Sequence, residues 1–155
     1  PSNVWVKVIC KSFKGVIRLS TVQEKALTIL QNERIGTLAT VYDGKPYARY
    51  MTFHNEGFTL YTVTAKNTEK VHDLSQNPHT HILYGYENNG LLEEFLEIEA
   101  NVTEYDDSTI KEQFVQQFRD DYFADPSEML VLKITPTRMR IMNKSGNHQE
   151  EVPLP

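Results

Sequence analysis

The first regular pattern in the chain is a polar capping sequence followed by an amphipathic segment. Residues 21–24, Thr-Val-Gln-Glu, have the form of a capping box, in which the Thr21 hydroxyl and the Glu24 carboxylate satisfy free amides at a helix start. Apolar residues then recur on one face at helical spacing; they are Val22, Ala26, Leu27, Ile29 and Leu30. The pattern predicts a helix from Thr21 to about Glu33.

From residue 35 onward, apolar and polar positions alternate with a period of two, which is typical of β-strands. Strands are predicted at residues 35–42, 46–54, 58–63, 79–86, 95–102, 129–134 and 138–142. Asp43-Gly44 predicts a tight hairpin, because glycine tolerates the positive φ that such turns need, and Pro136 is expected in a turn between the last two strands. The strand at residues 95–102 is expected to bury its even-numbered apolar residues.

Two further helices are predicted among these strands. A short one starts near Asn67 or Thr68 and ends at residues 77–78, Asn-Pro. A later one is marked by apolar side chains at i, i+4 and i+8, which are Ile110, Phe114 and Phe118. Hairpin-linked strands with helices inserted between them predict a mainly β (α+β) domain, an antiparallel barrel rather than a parallel sheet. We assign residues 20–143 to this domain, residues 1–19 to an N-terminal arm or added extension, and residues 144–155 to a tail without regular structure.

Composition narrows the classes of function. The 155 residues, 39% of them hydrophobic, are enough for one domain with a real core. A formal net charge of −5 argues against nucleic acid as a partner, because a phosphodiester backbone needs a dense basic face. Cys10 is the only cysteine, which excludes an intrachain disulfide and favours a reducing, cytoplasmic location. No apolar run approaches the roughly 18 to 20 residues that span a bilayer, so no membrane association is expected.

The clearest sign of chemistry lies where this acidic chain gathers three basic residues. Arg49, Lys66 and Lys70 flank the hydroxyl-rich residues 61–64, Tyr-Thr-Val-Thr, and a predicted helix start. Free amides and the dipole at a helix N-terminus favour an anion, whereas a lysine in the first turn opposes that dipole unless an anion is bound. The arrangement predicts a pocket for one phosphate group.

Simpler explanations of the same residues remain open. Lys66 and Lys70 are equally explained as solvated surface residues of a short helix. Arg49 lies on one strand face with Tyr47, Met51 and Phe53, and its charge could be satisfied by a carboxylate across the sheet or by solvent at the barrel rim.

Five segments, taken in order, resemble the pyridoxamine-5′-phosphate-oxidase-like family, and within it the general stress protein 26 branch. They are residues 35–40 (Ile-Gly-Thr-Leu-Ala-Thr), 49–53 (Arg-Tyr-Met-Thr-Phe), 60–64 (Leu-Tyr-Thr-Val-Thr), 68–70 (Thr-Glu-Lys) and 77–78 (Asn-Pro). The resemblance covers about residues 21–143. It implies an FMN-binding split barrel that forms a homodimer, with FMN at the dimer interface.

The resemblance also implies which residues contact FMN. By position, Arg49, Lys66, Thr68 and Lys70 would hold the phosphate and its ribityl neighbourhood, whereas Tyr50, Met51, Tyr61 and Thr62 would line the ring and ribityl chain. Glu69 stands where the oxidase proper has a second basic residue, which weakens the expected phosphate contact. The chain also lacks the basic C-terminal segment with which the oxidase proper holds pyridoxal phosphate, so vitamin B6 oxidation is not expected. Tyr47 and Phe53 are expected to offer apolar area for the dimer.

Other clusters are better explained by structure than by chemistry. His79 and His81 lie two residues apart on a predicted strand and could begin a metal site, but solvent-facing histidines are the favoured interpretation, and no metal is assigned. Glu93 and Glu94, together with Glu97 and Glu99, could suggest paired carboxylates for acid-base work, but the alternation with Leu96 and Ile98 explains Glu97 and Glu99 as an exposed strand face. Tyr84 and Tyr86 either close the core or reach a flavin ring.

Two functions from different classes remain open. One is an FMN-dependent oxidoreductase, for which no catalytic side chain can be named. The other is a non-catalytic protein that binds, stores or senses flavin or a related cofactor. If no flavin binds, a pocket for some other phosphate compound is the remaining interpretation.

Overall fold

The computed structural model describes residues 19–85, 94–117, 126–143, 146 and 148–155. These residues form the following elements in chain order: α1 (Thr21–Asn32), β1 (Ile35–Tyr42), β2 (Lys45–Thr52), β3 (His54–Glu56), β4 (Thr59–Ala65), α2 (Glu69–Gln76), β5 (His79–Tyr84), β6 (Glu94–Glu104), α3 (Ser108–Gln117), a 3-10 turn (Pro126–Glu128), β7 (Met129–Asn143) and β8 (Gln149–Glu151). Residues 1–18, Tyr86, Glu93 and Phe118 lie outside the described residues, and so do the predictions made for them.

The strands form one antiparallel sheet in the order β2-β1-β5-β6-β7-β4-β3, with β8 paired to β7. The Thr62 hydroxyl of β4 donates a 2.8 Å hydrogen bond to the Thr52 carbonyl oxygen of β2, although these strands stand near opposite ends of the sheet order. The sheet therefore curls until its ends meet along a seam between β2 and β4. This is a split barrel, and the predicted fold class is confirmed.

The core fills the inside of the curled sheet. The expected alternation in β6 is confirmed, because Leu96, Ile98, Ala100 and Val102 are buried. Helix α1 packs against the sheet with Ala26, Leu27 and Leu30, which belong to the same core cluster. Burial on this scale supplies the main stabilising force of the fold.

Tyr84 of β5 ties α1 to the barrel. Its hydroxyl donates to the carbonyl oxygens of Leu30 and Glu33 at the C-terminal end of α1. Burial of the ring, with Glu33 nearby, raises the pKa of this hydroxyl well above its usual value. The residue is 1% exposed, so the interpretation of Tyr84 as a core residue is correct.

The start of α1 corrects a prediction. Ser20, not Thr21, is the N-cap: its hydroxyl accepts the Gln23 amide at 3.2 Å, and the Gln23 side chain accepts the Ser20 amide at 2.9 Å. The capping box therefore begins one residue earlier than the sequence pattern suggested, and glutamine replaces glutamate as its second member. Both pairs satisfy the spacing rule, so the spacing alone cannot choose between them.

The first hairpin is confirmed and its second strand is shorter than predicted. Asp43 and Gly44 have φ values of 51° and 71°, as a two-residue turn of this kind requires. The strand predicted at residues 46–54 is observed at Lys45–Thr52; the Phe53 amide still donates to the Arg34 carbonyl oxygen at 2.7 Å, in register with the ladder, and β3 begins at His54. Phe53 is 3% exposed in the core, so its expected role as apolar area for a dimer is wrong.

The prediction of a turn at Pro136 is also wrong. Residues on both sides of it pair with β6, so that β7 is one continuous strand of 15 residues. Glu99 pairs with Arg138 and Ala100 with Pro136, which leaves Thr137 as an extra residue in a β-bulge. A bulge accommodates proline within a strand because the missing amide donor then removes no regular ladder bond.

The C-terminal residues have more structure than expected. Strand β8 pairs with β7 from Arg140 to Met142, and Val152 is 4% exposed in the core. The prediction of a tail without regular structure is therefore wrong for this part. None of the helices within the described ranges is long and apolar enough to cross a membrane.

We predict that Ser20→Ala lowers the free energy of unfolding by about 1 kcal/mol, the usual contribution of an N-cap hydroxyl. Thr21→Ala is the matched control: this neighbouring residue is exposed and should change the free energy of unfolding by less than about 0.5 kcal/mol. Urea unfolding followed by circular dichroism measures both. If Thr21→Ala lowered the free energy of unfolding more than Ser20→Ala does, Thr21 would be the N-cap, as the sequence pattern predicted.

Candidate phosphate-binding site

The candidate site lies at the seam of the barrel. Strand β2 pairs with β1 on one side, and β4 pairs with β3 only over residues 59–61, so the rest of β4 faces the seam. Helix α2 follows β4 after three residues and packs against β1. The chain thus brings residues of β1, β2, β4 and α2 together at one place.

Arg49 extends into this seam from β2. It pairs with Leu38 across the hairpin, and paired residues project to the same face, so its side chain lies on the inner face of the sheet. Its Nη1 donates to the Thr40 hydroxyl at 2.7 Å and to the Leu38 carbonyl oxygen at 3.4 Å. The guanidinium group is held by β1 rather than released to solvent at a rim.

Asp73 of α2 completes this group. The residue is 6% exposed, and the Thr40 hydroxyl donates to its Oδ2 at 2.9 Å. The same Oδ2 lies 4.0 Å from Nη2 of Arg49. Thr40 therefore accepts from the arginine and donates to the aspartate, which uses its one hydrogen and an acceptor site. The charge partner of Arg49 is a helix carboxylate, not the cross-strand carboxylate considered from the sequence.

Lys70 stands beside this group, in the first turn of α2. Its Nζ donates to the Thr64 hydroxyl of β4 at 2.9 Å, and this hydroxyl lies 3.5 Å from that of Thr68. The Thr68 hydroxyl donates to the Ala65 carbonyl oxygen at 3.1 Å and makes no capping bond to the helix. The ammonium group and the uncapped start of α2 thus face the same hydroxyl-rich corner.

The electrostatics of the corner favour an anion. Burial lowers the pKa of the Lys70 ammonium group, and repulsion from Arg49 lowers it further. Among the described residues, Asp73 is the only carboxylate within ion-pair distance of either cation. Two positive charges and one negative charge leave a surplus of about one positive charge, to which the N-terminal end of α2 adds its dipole.

The other residues predicted for the site differ in the face of the sheet on which they lie and in how far they are buried. Tyr50 is 80% exposed on the opposite face of β2, whereas Met51 is half-buried against the core. The Thr62 hydroxyl closes the seam, as described above. Tyr61 lies on the other face of β4, where its ring packs 5.4 Å from Tyr105. The side chain of Lys66 is exposed.

Sequence reasoning missed Thr40, Thr64 and Asp73 as members of the site. The sequence offered some indication for Thr40, because it lies two residues from Leu38 in β1 and its side chain therefore faces the same side of the sheet. Thr64 belongs to the hydroxyl-rich stretch that was noted but not assigned. Asp73 carried no such signal, because an aspartate on a short helix is ordinarily exposed to solvent, whereas this one is buried.

A cavity of 360 Å³ adjoins the corner between the end of the first hairpin and α2. Tyr42, Tyr47, Glu69, His72 and Asp73 line it. The His72 ring meets Tyr42 edge to face at 6.0 Å. Asp73 belongs to both the cavity and the charged group, so the two are contiguous.

Among the described residues, the histidine pair noted in the sequence is not part of a group of side chains that could hold a metal ion. His81 Nε2 lies 2.8 Å from Glu97 Oε1, and Arg140 Nη2 lies 2.8 Å from the same oxygen. Although burial opposes the change, the hydrogen bonds from His81 and Arg140 lower the pKa of Glu97. Within the part of the chain that the structure describes, no three His, Cys, Asp or Glu side chains are grouped to hold a metal ion.

The fold agrees with what comparison of the sequence reveals. The family model described as pyridoxamine 5′-phosphate oxidase matches residues 22–143. The chain therefore belongs to the pyridoxamine 5′-phosphate oxidase family, as the ordered motifs suggested.

Individual similar proteins indicate the branch of the family. General stress protein 26 of Bacillus subtilis (strain 168) is 34% identical over 124 residues, which cover 79% of this chain and 89% of that protein. The crystal structure of general stress protein 26 from Bacillus anthracis strain Sterne has a TM-score of 0.73 at 28% identity, covering 86% of this chain and all of the other. A Listeria innocua protein proposed to be a pyridoxamine 5′-phosphate oxidase has a TM-score of 0.69 at 36% identity, covering 79% and 98%.

We predict that Lys70→Met raises the melting temperature of the ligand-free protein, because it removes a desolvated cation held beside Arg49. Lys66→Met is the matched control, since this lysine is exposed and should leave the melting temperature unchanged. Differential scanning calorimetry at low ionic strength measures both. Equal melting temperatures for Lys70→Met and the parent would contradict a strained cation at this position.

The stability difference between Lys70→Met and the parent should depend on pH with a defined sign. Because the folded state binds the Lys70 proton less tightly than the unfolded chain, the Lys70 contribution to the free energy of unfolding rises with pH from below the lowered pKa toward 10.5. The advantage of Lys70→Met over the parent should therefore shrink across that range. An advantage that is constant with pH would assign the effect to packing instead of charge.

Proposed function

We propose that this protein is a flavoprotein that holds FMN by its phosphate at Arg49 and Lys70 and serves as an oxidoreductase. The observation that carries the proposal is the pair of neighbouring cations, of which the lysine has a pKa lowered by burial and by the arginine. Such a pair is costly in the empty protein and becomes favourable when a phosphate lies between its members.

The donor set fits a phosphate group. The guanidinium group of Arg49 offers planar donors, the ammonium group of Lys70 offers a compact charge, and the hydroxyls of Thr64 and Thr68 lie within one hydrogen-bonded corner. The uncapped start of α2 adds backbone amides, which favour the same ligand. Asp73 limits the surplus charge to about one unit, which suits a single phosphate better than a polyphosphate.

The chain's own residues would orient the cofactor rather than react with it. When bound, FMN supplies hydride or single-electron chemistry through its ring system. Arg49 and Lys70 would fix the phosphate. The side chain of Met51, on the same face of β2 as Arg49, would lie beside the ring, whereas Tyr50, whose side chain faces outward, would contribute only its backbone. Family membership supports this assignment of roles.

The outer face of β1, β2 and β5 offers a surface for a second subunit. Four apolar side chains are exposed on the outer face of β1, β2 and β5, namely Ile35 (60%), Val41 (37%), Tyr50 (80%) and Leu83 (41%). Tyr50 and Leu83 both pair with Thr37, so they flank one position and form a continuous patch. Exposed apolar area of this kind is typical of an interaction surface, and we propose that it joins two copies of this chain.

We predict that Arg49→Ala and Lys70→Ala each weaken FMN binding about 10- to 150-fold, since hydrogen bonds to charged groups contribute roughly 1.5 to 3 kcal/mol. Lys25→Ala is the matched control, because it removes the same charge from the exposed surface of α1. Visible absorption during titration of the apoprotein with FMN measures the affinity. Riboflavin, which lacks the phosphate, should bind more weakly and should not respond to either site variant.

Saturable binding of FMN that is indifferent to Arg49 and Lys70 would remove these residues from the site. Absence of any spectral change with FMN would overturn the flavin assignment. If FMN binds, steady-state oxidation of NADH or NADPH by the loaded protein separates an oxidoreductase from a protein that only binds flavin.

We predict that Leu83→Asp converts a dimer into a monomer, because it places a charge in the apolar patch. Light scattering should give about twice the 17.9 kDa chain mass for the parent and the chain mass for the variant. Thr109→Asp on the exposed surface of α3 adds the same charge outside the patch and should remain dimeric. A monomeric parent protein would contradict the proposed interface.

A further inference from the structure

The cavity of 360 Å³ lies beside the phosphate corner, on the side away from the proposed flavin ring. Tyr47, Arg49 and Met51 share one face of β2, at steps of about 7 Å along the strand. The proposed ring lies toward Met51, whereas Tyr47 lines the cavity. A molecule in the cavity would therefore be a second ligand, separate from any compound that meets the ring.

The charges that line the cavity are negative. Two carboxylates, those of Glu69 and Asp73, belong to the lining, and none of the described residues that line it is a lysine or an arginine. Glu69 is exposed, and no basic side chain of the described ranges lies within ion-pair distance of its carboxylate. Such a lining repels a phosphate and attracts a cation.

Asp73 also supplies a buried acceptor that the protein uses only in part. The residue is 6% exposed, and its Oδ2 accepts the Thr40 hydroxyl at 2.9 Å. Within the described part of the chain, Oδ1 accepts no hydrogen bond and has one ion-pair contact, with Nδ1 of His72 at 3.8 Å. Because buried carboxylate oxygens normally have donors, a ligand in the cavity could provide the missing one.

Aromatic rings complete the lining. Tyr42 and Tyr47 are 52% and 44% exposed, so their ring faces are available to a ligand. The face of an aromatic ring attracts an organic cation, and the rest of the ring packs against its alkyl chain. The cavity is near the lower end of the volumes of small-molecule sites, which fits a small ligand.

We propose that the cavity binds a small organic ammonium ion, and that an anion in the phosphate corner strengthens this binding. The ammonium group would donate hydrogen bonds to Glu69 and to Oδ1 of Asp73, while its carbon chain lies between the tyrosine rings. The first part of the proposal stands on the cavity alone. The second part rests on the proposed function, because it requires a phosphate at Arg49 and Lys70.

The charge of the corner explains why the two ligands should be coupled. In the ligand-free protein, Nη2 of Arg49 lies 4.0 Å from Oδ2 of Asp73 and opposes a second cation near this carboxylate. A phosphate bound to Arg49 and Lys70 offsets their charge, so the carboxylates attract the ammonium group more strongly. The effect is reciprocal, and the ammonium ion should strengthen phosphate binding by the same factor.

Titration of the apoprotein with putrescine, a four-carbon diamine, tests the cavity site when followed by the NMR chemical shifts of α2 amides. The buffer contains neither phosphate nor another amine. Butanediol has the same carbon chain without the charges and should cause no saturable shift. Glu69→Gln should weaken putrescine binding up to about fivefold, the scale of an exposed ion pair. Glu112→Gln on the exposed surface of α3 is the matched control and should change nothing.

The aromatic part of the site has its own pair of variants. Tyr42→Ala/Tyr47→Ala should weaken putrescine binding about tenfold, the scale of two exposed cation–π contacts. Tyr42→Phe/Tyr47→Phe keeps both rings and should keep the parent affinity. A native NMR spectrum of the alanine variant shows that its loss of binding does not come from misfolding.

The coupling is measured by repeating the putrescine titration on protein saturated with FMN. We expect putrescine to bind about fivefold more tightly than to the apoprotein, and FMN to bind more tightly by the same factor when putrescine is saturating. Riboflavin lacks the phosphate and should leave putrescine affinity unchanged.

The outcomes separate this inference from the proposed function. Equal responses to putrescine and butanediol, or putrescine binding that is indifferent to Glu69→Gln and to the alanine double variant, overturn the ammonium site. Putrescine affinity that FMN does not raise overturns the coupling and leaves the flavin site standing. If FMN does not bind, the proposed function and the coupling both fail, whereas the titration of the apoprotein still decides the cavity site.

Discussion

The hydrogen-bonded chain from Arg49 through Thr40 to Asp73 is the interaction on which the rest of the site depends. It joins three separate elements, β2, β1 and α2, through one hydroxyl that both accepts and donates. Because Asp73 is buried, its carboxylate needs partners, and β1 supplies the Thr40 hydroxyl while β2 brings Arg49 close. This requirement fixes how α2 sits on the sheet and therefore where Lys70 points.

Local and non-local features were not equally predictable from the sequence. The hairpin at Asp43-Gly44 and the bounds of α2 follow from neighbouring residues, and both were predicted. The turn assigned to Pro136 failed because a bulge can absorb a proline only when a partner strand is present, and that partner comes from residues far away in the chain. The start of α1 was missed by one residue because two overlapping boxes obey the same local rule.

The same difference between local and non-local features explains which residues of the site could be predicted. Arg49 and Lys70 stand out in an acidic sequence, and sequence motifs place them in one family pattern. Asp73 does not stand out, and the inward position of Thr40 gains meaning only when strand order brings the two residues together. The cations of the site could therefore be predicted, whereas the carboxylate that holds one of them in place could not.

Strand β2 would link the proposed cofactor site to the proposed dimer surface through the two-residue period of a strand. Its odd-numbered residues, among them Arg49 and Met51, face the seam, while Tyr50 faces outward into the apolar patch. A slip of one residue would exchange these faces and destroy both surfaces at once. The bond from Thr62 to the end of β2 and the pairing with β1 both oppose such a slip. If Arg49 holds the proposed ligand, its binding would also stabilise the proposed dimer surface, so we expect ligand binding and dimerisation to reinforce each other.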